Sequence, residues 1–482
     1  MLLLLLLLLG AVAGRDLPGA AQRLAPRANP KAAAAAPAVA QRGGGGAVAV
    51  SDGKSSVPVA TFNLMNNVAG AGLLTLSAAM AMGVGTYPAL ILCVGLGIVA
   101  GHTFSLCNRA CAATGETSFM GLCTRLLGPF AALTSTVALA ALCFAVCIVY
   151  AGFIGDVATS LLAEPIGLSP ALNSRASNIL VTTGGVLLPL CLLRSLDQLG
   201  FTSLLGLVSV VYSVAFIILR SLDGTYAPGG EFFEDLVKLG DGAAPAFDDV
   251  GPWAFDSRAL VLISNLGVSF MAHYNAPKYY DELRDNTVER CNMVSWPSYI
   301  GLSVLYAATM IAGYRTFGTS CKSMLLTNYS SKDRLGCIAQ FATGFSILFG
   351  YPLAFCGFRQ GVVETADAIL GFRDGAGGAL DGALKALRDA PSTEGGWRAL
   401  TVALLALSTA LAVAVEDMGI VVGIAGAVVG SYFIYMLPAL LYTTVEERAG
   451  RLTPAKKANL ALVPMGVAMA AMGTFMSVKS RS

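Results

Sequence analysis

Charge is scarce in this chain. Of 482 residues only 12% are Asp, Glu, Lys or Arg, against about 25% in an ordinary soluble domain. The formal net charge is +2, and no basic tract points to nucleic acid. Histidine occurs twice, at His102 and His273, and no HExxH, GxSxG or GxxxxGK[ST] pattern occurs. Nor do paired acids occur inside an apolar block. These absences exclude the common metal, serine and nucleotide-hydrolysing chemistries, so no catalytic residue, enzyme activity or cofactor is expected. The 11 cysteines include no CxxC pair. Most, including Cys93, Cys143, Cys147 and Cys191, lie in apolar blocks where a thiol acts as a small hydrophobe. Cys321 and Cys337 are the exception. They bracket a hydrophilic loop and would form a disulfide if that loop is non-cytosolic.

Hydrophobic residues make up 55% of the chain, and they fall in blocks of roughly 18 to 28 residues. A bilayer core of about 30 Å needs such a length of helix. The expectation is an all-α polytopic membrane protein of about eleven spans, near 58–83, 87–110, 130–156, 178–194, 199–220, 257–280, 293–316, 335–358, 398–416, 418–442 and 459–478. Residues 1–56 stand apart. The oligoleucine run Met1 to Ala13 is signal-like, and the Ala/Pro/Gly/Arg stretch behind it fits either an organelle presequence or a low-complexity cytosolic tail; such composition is expected to be disordered. Residues 359–397 form a long mixed-charge insertion with an amphipathic stretch at Ala379 to Arg388.

Orientation follows from Lys and Arg. With a cytosolic N-terminus, most of the 31 basic residues fall on the cytosolic side, and so does the 359–397 insertion. The acidic 223–256 loop and the glycosylation sequon at Asn328 then lie opposite. A cleaved leader would invert this arrangement; the charge distribution draws on many loops and is preferred.

Two apolar segments carry glycines and polar groups where hydrocarbon tolerates little unpaired backbone. The first contains Phe62-Asn63-Leu64-Met65-Asn66 and Gly70-Ala71-Gly72. The second contains Ser264-Asn265-Leu266-Gly267 and Ala272-His273-Tyr274-Asn275. Opened at Gly70–Gly72, the first would present N–H groups and a helix N-terminus to a carboxylate, with Asn66 one turn earlier as a cation ligand. Opened at Gly267, with Asn265 and Ser269 beside it, the second would present carbonyls to an ammonium. Matching breaks in two halves of a membrane protein point to a transporter substrate site. His273 is a candidate for proton coupling because it ionises near neutrality. His102 is read as a helix–helix hydrogen-bonding group. In span eight, Thr343, Ser346 and the Gly350-Tyr351-Pro352 turn are further polar candidates.

These residues resemble the amino acid/auxin permease family, and within it the sodium-coupled neutral amino acid transporter branch. The similarity runs from the Phe62–Asn66 and Gly70–Gly72 motif through Leu187-Leu188-Pro189-Leu190, Phe270 to Asn275 and Gly350-Tyr351-Pro352-Leu353 to Gly430-Ser431 and Leu437-Pro438, covering about 57–478. The resemblance implies a five-plus-five inverted repeat, with repeat one near 57–220, repeat two near 257–442 and an extra span at 459–478. It also implies broken helices one and six and a cytosolic N-terminus. It places substrate at Val68, Gly70, Ala71, Gly72 and Leu73, with Asn265, Gly267 and Ser269 opposite. It places sodium at Asn66, with Gly350, Thr343 and Ser346 on span eight. One departure stands out: Ile347 to Pro352 has no hydroxyl where the branch has a threonine, and only Thr343 and Ser346 could replace it. Sodium and proton coupling both remain open.

The expected function is secondary active transport of amino acids, neutral ones above all, by alternating access; the alternative is a non-transporting amino acid sensor using the same pocket. The expected partners are the amino acid and the lipid bilayer. The expected location is a multi-pass position in the plasma membrane, an endomembrane such as the vacuole, or the plastid envelope.

Overall fold

A computed structural model describes Gly53 and residues 55–162, 173–193, 201–240, 243–247, 251–373, 378–451 and 454–479. The leader and most of the tail expected in 1–56 lie outside these residues. Among the described residues the regular structure is helical, with only two isolated β-bridges. The helical segments fall at the eleven expected positions. Seven are single helices long and apolar enough to cross a bilayer: Thr86–Thr114, Pro129–Leu162, Val288–Phe317, Arg334–Arg373, Glu394–Ala414, Met418–Arg448 and Leu462–Lys479. These are spans two, three, seven, eight, nine, ten and eleven. Span four covers 175–191 with a π-helical turn at Thr183–Leu187, and span five is Phe201–Leu222.

Spans one and six are interrupted, as expected. Span one runs as Val57–Val68, then a 3₁₀ turn Ala71–Thr75 and a short helix Leu76–Ala81, with its two arms bent by 47°. Gly70 caps the second part with φ −92° and ψ −162°, so the helix is left by extended backbone between two glycines. Span six runs as Ala259–Ser269 and Ala276–Glu282, separated by Phe270 to Asn275. The break therefore lies beyond Gly267, which sits inside a continuous helix. Pro277 restarts the chain in the first turn of the second half, where its missing N–H costs nothing.

Gly267 has a packing role instead. A Cβ built at Gly426 would lie 1.8 Å from the Ser264 carbonyl oxygen, and one at Gly430 would lie 3.2 Å from the Gly267 carbonyl carbon. Gly426 and Gly430 thus form a small-residue face on span ten that lets the backbone of span six come close, as small residues do between membrane helices.

The first half of span one is strapped to the second half of span six. Ser55 donates its N–H to the Glu282 carbonyl at 3.0 Å, and Arg284 returns one to Ser55 at 3.0 Å. Further in, the Tyr279 hydroxyl donates to the Asn63 carbonyl at 3.2 Å. Span eight is a 40-residue helix, about 60 Å at about 1.5 Å per residue, so it outruns the membrane. The first part of the expected 359–397 insertion is simply this helix continuing to Arg373. The rest folds as Ala379–Asp389, with Leu384 buried, and joins span nine at Glu394.

Candidate functional site

The break in span one opens onto a cavity of about 430 Å³. Span one contributes Asn63, Asn66, Asn67, Gly70, Leu73 and Leu74, and span eight contributes Thr343, Ser346, Gly350 and Leu353. Tyr150 of span three, Ser209 and Ser213 of span five, and Asn275, Lys278, Tyr279 and Glu282 of span six complete the wall. Among the described residues, Lys278 and Glu282 are the only carboxylate or amine groups in its lining. They pair at 3.9 Å at the exposed end of span six, so the wall around the break itself is neutral. A helix start leaves its first N–H groups without an intrahelical carbonyl; in the turn that begins at Ala71, Leu73 N already donates to the Gly70 carbonyl at 3.3 Å. The polar groups of spans five and eight are tied together: the Ser213 and Thr343 hydroxyls lie 2.9 Å apart, and Ser209 donates to the Ala342 carbonyl at 2.9 Å.

Five of the expected site residues thus share this cavity with Gly70: Asn66 and Leu73 on one side, Thr343, Ser346 and Gly350 on the other. The rest lie behind it. The Val68 and Ser269 carbonyls mark the ends of the two first half-helices. Gly72 backs onto span six, since a Cβ there would lie 2.9 Å from Ser269 Oγ. Ala71 opens the 3₁₀ turn between these two glycines. Asn265 is buried and bridges the two broken spans, accepting from the Thr75 hydroxyl at 3.1 Å and donating to Val261 at 2.8 Å.

His273 does not reach the cavity. It is fully buried on the opposite side of the break, with Nε2 2.9 Å from Thr103 Oγ1 and 3.2 Å from the Ala100 carbonyl oxygen. It fastens span six to span two. His102 plays the expected interhelical part, with Nε2 2.8 Å from Asn459 Oδ1.

Two further expected sites lie away from this cavity. Asn328 is 3% exposed, and both ends of its amide are used: Oδ1 accepts from Lys322 N at 2.8 Å and Nδ2 donates to Ser320 O at 2.7 Å. In this folded state the Asn328 amide braces a turn and does not face solvent. Cys321 and Cys337 are free thiols that bond separate carbonyls, those of Gly313 and Ser331.

A second cavity of about 810 Å³ lies past the other end of span one, lined by Ala78, Met82, Asp156, Arg175, Lys322 and Asp417 among others. Arg175 pairs with Asp156 at 2.6 Å and donates to the Ala412 carbonyl at 2.9 Å, and Ser323 donates to Asp417. Between the two cavities span one is sealed: Thr75 and Ser77 are buried, and Ser77 bonds the Thr309 and Met310 carbonyls of span seven.

Two recesses at opposite ends of span one, separated by a buried helical turn beside a pair of broken helices, are an arrangement suited to a polytopic membrane transporter. The backbone matches a solved structure described as an inward facing conformation of Mhp1, with a TM-score of 0.51 and 11% identity over 89% of this chain and 90% of that one. Residues 53–479 match the family described as transmembrane amino acid transporter protein, and the chain belongs to that family, whose members are transporters rather than enzymes. A Danio rerio relative, provisionally named sodium-coupled neutral amino acid transporter 11, is 25% identical over 82% of this chain and 80% of its own length. Vacuolar amino acid transporter 7 of Saccharomyces cerevisiae is 26% identical over 64% of this chain and 59% of its own.

Proposed function

We propose that this chain moves neutral amino acids across a membrane by alternating access, driven by a sodium or proton gradient. The observation that carries this is the cavity at the span-one break. Its volume lies in the range of about 300–1,000 Å³ typical of small-molecule sites. It offers helix-start N–H groups for a carboxylate, and it holds no charge near the break to pair with a charged substrate side chain. An unpaired charge buried in a membrane protein is costly, so neutral side chains are favoured. Asn66, Thr343, Ser346 and Gly350 face one another across this space and are the proposed cation ligands. Thr343 and Ser346, a turn or two earlier, would stand in for the threonine that the Ile347 to Pro352 stretch lacks. The sodium-coupled name of the Danio rerio relative supports sodium, and the vacuolar relative supports an endomembrane address.

The test is uptake of a labelled amino acid panel by purified protein in liposomes, with sodium and proton gradients imposed separately. Saturable uptake of neutral amino acids that follows one gradient is expected. Uptake of none of the panel under either gradient rejects the reading. Asn66→Ala is expected to flatten the dependence on the driving cation by at least tenfold in half-saturation, with normal yield; unchanged dependence removes Asn66 from the cation site.

A further inference from the structure

The carbonyl ends of the two broken helices converge. Span one's first half ends at Val68 and span six's first half at Ser269, and Gly72 touches Ser269 beside them. A helix C-terminus carries roughly half a negative charge together with carbonyls that have no intrahelical donor. Two such ends brought together away from water repel, and they need either a cation or a hydrogen-bond donor between them.

Span seven supplies a donor. Tyr306 is fully buried, and its hydroxyl oxygen lies 2.9 Å from the Val68 carbonyl oxygen and 2.7 Å from that of Ser269. A phenol has one proton, so the contact is a single donor shared by two acceptors. The Val68 carbonyl takes a further bond from Gly70 N at 2.7 Å, while the ring is held by Phe270 with centroids 4.9 Å apart. Neither carbonyl faces a charged side chain here.

We propose that Tyr306 is a positioning residue that fills, with a neutral hydroxyl, the place at this junction that a monovalent cation would otherwise take. It holds the breaks of spans one and six in register, and so sets the spacing of the groups that receive substrate. This rests on the reading of the cavity as an amino acid site. It adds that the junction where the two first half-helices end is built to work without an ion.

The experiment uses the purified full chain as wild type, Tyr306→Phe and Tyr351→Phe. The last is a matched control that removes another buried hydroxyl, bonded to Ser408 at 3.2 Å. Melting temperature and liposome uptake are measured in sodium, potassium and choline chloride at equal ionic strength. Tyr306→Phe is expected to raise the KM for amino acid at least tenfold in choline, with a smaller change in maximal rate. A small metal cation should restore affinity and raise its melting temperature by several degrees more than in wild type, because the ion enters the space left between the carbonyls. Tyr351→Phe should follow wild type in all salts. A Tyr306→Phe protein with wild-type KM and wild-type salt response overturns the proposal. So does one that fails to fold in every salt while Tyr351→Phe folds, since that outcome leaves only a structural role. If wild type itself takes up no amino acid, the transport reading fails, and the melting data alone decide the role of Tyr306.

Discussion

Single residues divide into those that meet the cavity and those that brace it. Asn66 was readable as a cavity residue because it lies one turn before a glycine pair in an otherwise apolar run. Tyr150, Ser209 and Ser213 were not, since sequence alone does not fix which face of spans three and five turns toward span eight. The burial of Asn328 was not legible, because a sequon carries no information on it. Asp333 shows how firmly bracing residues are held. It is fully buried, takes Arg220 Nε at 2.8 Å and a second guanidinium nitrogen at 2.7 Å, and accepts from the Tyr226 hydroxyl at 3.0 Å. Removing one partner of a buried pair leaves the other uncompensated, at a cost of about 3–5 kcal/mol. Arg220→Met should therefore lower unfolding stability by that amount, and Arg220→Met with Asp333→Asn should recover much of it. A loss below about 1 kcal/mol in the single variant, read by denaturant or thermal melting, would show the pair to be dispensable.

At the scale of elements, glycines set the outcome, and they act in two ways. Gly70 and Gly72 were legible as a break because two glycines flank one alanine within a bilayer-length run. Gly267 looked alike, yet its helix continues. The clearer signals for span six were Pro277, which restarts the helix, and the Gly426-Ala427-Val428-Val429-Gly430 spacing on span ten, which marks Gly267 as a packing position. The two roles separate by substitution. A Cβ at Gly70 meets nothing within 4 Å, whereas at Gly426 it falls 1.8 Å from backbone. Gly70→Ala should melt like wild type. Gly426→Ala should force spans six and ten apart and cost about 1–3 kcal/mol, the usual range for overpacking. Equal melting temperatures for the two variants would contradict the packing role.

The whole molecule presents one recess toward the end bearing Lys278 and Glu282, and another toward the end bearing Lys322 and Asp417. If the N-terminus is cytosolic, the cavity at the Gly70 break opens toward the cytosol. The Ser55–Leu283 bridge and the Tyr279 bond tie the first half of span one to the second half of span six. A membrane-impermeant thiol reagent should then reach Lys278→Cys from the cytosolic side and Lys322→Cys from the other. Labelling of both from one side would refute the assigned topology. Apolar blocks of bilayer length made the helical segments readable from sequence, while the orientation rests on the basic-residue bias alone. The pairing of spans, and therefore the cavity wall, depended on tertiary packing that no single segment encodes.

The central claim is that an amino acid sits in the space opened by the break at Gly70. The most direct test is saturable binding of a labelled neutral amino acid to purified protein, comparing wild type with Gly70→Leu. Gly70 has backbone angles that an L-residue accepts, and open space where its side chain would project. The variant should therefore fold and melt as wild type does while filling the cavity. Saturable binding to wild type, lost in a folded Gly70→Leu protein, is the predicted result; undiminished binding by that variant would contradict the account.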